Sequence, residues 1–364
     1  MIIGTMRSPE RPARSDDHRA RRAFYGQGVD YPWAPVSATG VGSLPFDDRD
    51  EAARIVVGEL PDFPHLAELP GRGAGAELIG RSAALLVELH VDLQPSGWRV
   101  VDRAGADERR SRAMLRADVD ALEIAAHGYE GPLKVQVAGP LTLAAGLERS
   151  RGDRMLADHG ARRELAESLA EGVRQHVAEI ARRVPGAQVV LQVDEPSLPT
   201  VLAGGVPTIS GWGRLRSVDA GEAETLLAAM VSAAGVPVVF HCCAGSAPVG
   251  VFRRAGAMAV SLDTSQLDGE VLDELAAAVD TGMSVWPGVV PSTRPDTVPT
   301  DAELADRVAR LWRRLDQDPA ATAARTVVTP ACGLGGSDAS WARHALTLTR
   351  NTARAFADIV GGAQ

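Results

Sequence analysis

The sequence predicts a (β/α)8 barrel, the TIM-barrel class of α/β fold. Three observations carry that expectation. From about residue 38 onward, short β-prone runs alternate with longer stretches of helical periodicity. The runs are apolar throughout rather than alternating, as in parallel strands covered on both faces. Eight of them can be counted, at 38–43, 65–69 (the weakest), 133–138, 188–193, 237–242, 257–262, 283–289 and 326–329. Eight strand–helix units in about 320 residues suit a closed barrel better than an open doubly wound sheet.

The elements follow in chain order. Residues 1–35 are rich in Arg, Pro, Ser and Asp and read as a poorly ordered arm, leaving 36–364 as a single barrel domain. Helical spacing is read at 76–91, 107–127, 162–184, 220–234, 269–281, 301–315 and 339–360. Proline closes several strands: Gly139-Pro140 follows the third, and Asp194-Glu195-Pro196 follows the fourth. Gln136 and Trp286-Pro287-Gly288 are assigned to packing and turns. The Gly-rich run at 71–76 has neither the preceding strand nor the acid about 20 residues on that a dinucleotide site needs, so nicotinamide binding is excluded.

Composition narrows the function. A net charge of -9 argues against a nucleic-acid partner. No run of about 18 apolar residues is present to span a membrane, and the N-terminus lacks a signal-peptide pattern; a cytoplasmic location is expected. Lys134, the only lysine among 38 basic residues, is put down to compositional bias. Three cysteines are too few for a disulfide framework and point to chemistry or metal.

Those cysteines sit at strand ends. In Phe240-His241-Cys242-Cys243, strand alternation puts His241 and Cys243 on one face and Cys242 on the other. Asp263 ends the next strand and Cys332 follows the last, and in a barrel all these ends open on one face. Imidazole, two thiolates and a carboxylate suit Zn2+, with His241, Cys243, Asp263 and Cys332 as ligands and Cys242 as apolar filler. Of the two acids after the fourth strand, Asp194 and Glu195, an inward one is placed to anchor a substrate ammonium group; a helix cap or a solvated turn is the alternative for both, and more so for Glu195. The loop Thr39-Gly40-Val41-Gly42-Ser43 offers backbone and a hydroxyl to a small carboxylate.

Thr39-Gly40-Val41-Gly42-Ser43, Gly139-Pro140, Gln192-Val193-Asp194-Glu195-Pro196, His241-x-Cys243 and Cys332-Gly333-Leu334 occur in the order found in cobalamin-independent methionine synthases. Over residues 38–360 the chain resembles their C-terminal catalytic barrel. The resemblance implies a zinc site of His241, Cys243 and Cys332, with Asp263 where the family has a longer glutamate. It implies a homocysteine site in which Val41, Gly42 and Ser43 take the carboxylate and Asp194 the amino group. A further family glutamate falls to Glu68 or Glu77. Zinc coordination of homocysteine would supply the reactive sulfur, and the thioether product would bind zinc poorly and leave.

Three departures fall on the methyl-donor side. The family's enzymes resemble two barrels in tandem, and this chain has room for one. Gly288-Val289-Val290-Pro291-Ser292-Thr293 lacks the family's proton-donating histidine, and Thr200 stands in place of a folate-contacting glutamate. The expected function is therefore a zinc-dependent methyltransferase acting on homocysteine or a similar small thiol, with methylfolate or a methyl-corrinoid as donor. Alternatives are transfer to another thiol such as coenzyme M, a non-catalytic metal- or ligand-binding barrel and, last, a uroporphyrinogen-decarboxylase-like enzyme.

Overall fold

A computed structural model describes residues 30–362. The strands are β1 (Ser37–Ala38), β2 (His90–Gln94), β3 (Gly97–Val101), β4 (Gly131–Ala138), β5 (Ala187–Asp194), β6 (Val238–Cys242), β7 (Ala259–Asp263), β8 (Ser284–Val290) and β9 (Val327–Pro330). Seven form one parallel sheet in the order β1-β9-β8-β7-β6-β5-β4. Helices lie between consecutive strands, as crossovers between parallel neighbours require.

The predicted run at 65–69 closes the sheet without becoming a regular strand. It bridges β4 at His65–Lys134 and the chain beyond β1 at Ser43–Glu68, both in parallel. Four backbone hydrogen bonds hold it: Leu66 N to Lys134 O, Lys134 N to Pro64 O, Leu44 N to Glu68 O and Glu68 N to Gly42 O. β1 is shorter than predicted. Beyond Thr39 the chain leaves the ladder at Gly40, where an added Cβ would clash with the His65 ring.

Strand alternation sorts the side chains. Leu133, Val135, Val137, Leu191, Val193, Phe240, Cys242, Val260 and Leu262 face the helices in the main core. The opposite faces of the same strands build the barrel interior. Its lower end is an apolar plug of Trp33, Phe63, Val190, Val239, Ala259, Trp286 and Val327. Of the arm expected over 1–35, residues 1–29 lie outside the described residues. Tyr31 donates to Gly282 O at 2.6 Å, and the Trp33 ring packs 5.1 Å from Trp286 and 6.0 Å from Phe63.

Six of the predicted helices match within a few residues: Ala106–Ala125, His159–Arg183, Ala220–Ala234, Gly269–Asp280, Asp301–Arg314 and Ala339–Gly361. Five of the six starts are capped by side chains, namely Asp158, Asp219, Asp268, Asp338 and a Thr300/Glu303 capping box. The helix read at 76–91 is a correction. It stops at Leu78–Ala83, Glu88 takes a left-handed φ of 62°, and β2 and β3 form a hairpin around Pro95-Ser96. Val91 belongs to that hairpin, on β2. Among the described residues no helix is long and apolar enough to cross a membrane.

Candidate metal centre and substrate site

The ends of β6 and β9 bring one imidazole and two thiols together. Ligand atoms of His241, Cys243 and Cys332 all lie within 4.8 Å of one another, across 89 residues of chain between the cysteines. The alternation read from the sequence holds: His241 faces inward, whereas Cys242 is buried in the outer core, where desolvation pushes its thiol up to about 12. The Cys243 and Cys332 sulfurs are 2.9 Å apart and share a hydrogen bond. That hydrogen bond and the His241 ring beside it bring Cys332 down to about 4, against the desolvation that raises it, while Cys243 is pushed far up.

The donor set fits a borderline-soft cation. His241 Nδ1 lies 3.0 Å from Ser261 Oγ, and its Nε2 is buried with no hydrogen-bond partner among the described residues. A ring held through one nitrogen with the other unpartnered is the arrangement metal-ligating histidines use. Asp263 is not gathered with the three. Its Oδ1 accepts from Ser265 N at 2.9 Å and Ser265 Oγ at 2.7 Å, capping the turn Thr264–Gln266.

Beside the metal group, Asp194 closes β5 in register with His241 on β6. It is buried, and desolvation lifts its carboxyl to about 6 against the opposing pull of His241, Lys134 and a hydrogen bond from Gln192. Glu68, on the closing segment, is likewise buried and raised to about 7, mainly by desolvation, although Arg81 Nε lies 3.4 Å from its Oε1. Of the two glutamates considered for this region, Glu68 faces the interior: its Oε2 borders Gly42. Glu77 precedes the helix Leu78–Ala83 without capping it. Glu195 points the other way, accepting from Leu141 N, Thr142 N and Thr142 Oγ1 at 2.7–2.9 Å to cap the helix Pro140–Gly146.

Val41, Gly42 and Ser43 occupy the turn between β1 and the closing segment. Ser43 is committed to the cysteine turn: its carbonyl accepts from Leu334 N at 2.8 Å and its Oγ from Gly335 N at 3.3 Å. The Val41 carbonyl accepts from Lys134 Nζ at 2.7 Å and Gln192 Nε2 at 2.9 Å. Thr39 Oγ1, His65 Nε2 and Thr329 Oγ1 are further buried polar atoms without partners among the described residues. Two residues escaped the sequence reading. Lys134 is wholly buried in the barrel interior, and Arg81 links Glu68 to the buried Asp118, which also pairs with Arg72. The signal for Lys134 was its place in the apolar run Leu133–Ala138, where a lysine on an inward face needs partners.

The comparisons agree with this architecture. The family model "Cobalamin-independent synthase, Catalytic domain" matches residues 36–355. No curated protein matches. Among solved structures, a B12-independent methionine synthase from Shewanella sp. W3-18-1, determined in complex with selenomethionine, is similar at a TM-score of 0.58 and 15% identity, covering 91% of this chain and 99% of that one. SrfJ from Salmonella typhimurium is more distant, at a TM-score of 0.39 and 9% identity over 89% of this chain and 78% of that one. With the family model spanning nearly the whole barrel, this chain belongs to the cobalamin-independent synthase catalytic-domain family.

Proposed function

We propose that the protein is a zinc-dependent methyltransferase that methylates a small thiol, most simply homocysteine to methionine. The observation that carries this reading is the convergence of His241, Cys243 and Cys332 at the barrel mouth, next to buried carboxylates suited to an amino acid. Those three residues would hold the metal. Asp263 is the proposed reserve ligand for the fourth position, for which its carboxylate must release Ser265. Bound zinc supplies a substrate thiolate at neutral pH, where a free aliphatic thiol is mostly protonated.

The chain's own residues do the positioning. Asp194 and Glu68 accept hydrogen bonds from the substrate ammonium, and charge pairing with that cation draws both carboxyls toward their ionised forms. The Val41–Ser43 turn faces the substrate carboxylate. Ser261 holds the His241 ring in place. The donor side offers no histidine in the loop after β8, so the leaving group must need no proton from that loop or receive it from solvent. That asymmetry favours a methyl-corrinoid over methylfolate.

The test is metal content of protein purified without added zinc, followed by methyl transfer to homocysteine from methylcobalamin and from methyltetrahydrofolate in parallel. About one zinc per chain and methionine formed from either donor are expected. Protein that neither carries nor takes up zinc overturns the reading.

A further inference from the structure

Lys134 is wholly buried in the middle of the barrel. Its Nζ has three hydrogens and three acceptors: Val41 O at 2.7 Å, Gln192 Oε1 at 2.7 Å and Gln136 Oε1 at 3.3 Å. Each contact has a consequence. Because Gln192 Oε1 accepts from the ammonium, its amide nitrogen must turn the other way, where it donates to Asp194 Oδ1 at 2.7 Å and to Val41 O at 2.9 Å. Gln136 is oriented by the same logic. Its oxygen faces Lys134 and its nitrogen donates to Leu66 O, two residues from Glu68 on the segment that closes the barrel.

One cation thus sets two amides whose outputs reach three parts of the mouth. The buried carboxylates of Asp194 and Glu68 attract it, against the desolvation that drives the lysine down to about 7.

We propose that Lys134 is a positioning residue of the thiol substrate's amino-acid end: it fixes the Val41 turn, the Asp194 carboxylate and the Glu68 segment together, and so makes the site select a thiol bearing an α-ammonium group. This rests on the thiol-methylating reading above.

The test compares equilibrium binding of L-homocysteine and of 4-mercaptobutanoate, which keeps the thiol and carboxylate but lacks the ammonium, to the zinc-loaded protein and to its Lys134→Met variant. The wild-type protein should prefer homocysteine by roughly 30-fold, the value of a charged hydrogen-bonded contact. In K134M that preference should fall below roughly threefold, with zinc content unchanged and 4-mercaptobutanoate losing less affinity than homocysteine. If K134M is not recovered folded, Gln192→Leu, which keeps the lysine and frees Asp194, is read by the same ratio. An undiminished preference overturns the proposal, as does an equal loss of both thiols with loss of zinc, which would mark a merely structural lysine. Wild-type protein that binds both thiols alike overturns Lys134's role while leaving thiol binding standing. Wild-type protein that binds neither removes the thiol reading and this proposal with it.

Discussion

Cys242 and Cys243 are neighbours in the chain and strangers in the fold. A single step along the chain takes one thiol into the outer core and the next to the His241 and Cys332 cluster, because strand side chains alternate. Cys332→Ser should therefore lower zinc content several-fold, measured by metal analysis, with thermal unfolding little changed. Cys242→Ala should keep its zinc and lose about 1 kcal/mol of stability in denaturant titration, since it removes only packing. At this scale the sequence was informative wherever alternation could be applied, as at His241, Cys243 and Asp194. It failed at Lys134, because a count of lysines says nothing of which acceptors will surround one. It placed Asp263 at a strand end without revealing that Ser265 N and Oγ hold its carboxylate.

Short elements at the mouth depend on buried acids. Glu195 caps the helix Pro140–Gly146, and burial raises its carboxyl to about 7, against the hydrogen bonds that lower it. A raised carboxyl makes the folded state bind a proton that the unfolded chain gives up near its ordinary value, so this group's contribution is full in acid and lost as pH rises through about 7. Glu195→Gln cannot titrate. The stability of the wild-type protein relative to that variant should fall between pH 5 and pH 8 in paired denaturant titrations, and a constant difference would show that Glu195 is charged throughout. Elements with long periodicity were legible in the sequence to within a few residues. The segment 64–68 was visible only as a weak run, because its four hydrogen bonds come from partners far away in the chain. The hairpin of β2 and β3 was hidden for the opposite reason, as local spacing imitated a helix.

Taken whole, the barrel separates stability from chemistry along its axis. The plug around Trp33 and Trp286 fills one end, and the thiols and carboxylates sit at the strand C-termini, where barrels of this class carry their sites. Trp33→Ala, which empties part of the plug, should cost about 3 kcal/mol in denaturant titration and leave zinc content unchanged. Loss of zinc in that variant would show the two ends to be coupled.

The sequence by itself determined the alternation of strand and helix, the inward and outward sets on each strand and the thiols at the strand ends, because these are properties of local periodicity. Only the tertiary structure decided that residues 64–68 close the sheet, that Asp263 serves its own turn and that Lys134 is buried against Val41, Gln136 and Gln192. Each of those depends on which distant groups meet a buried polar atom, and burial makes such a meeting obligatory without naming the partner in advance.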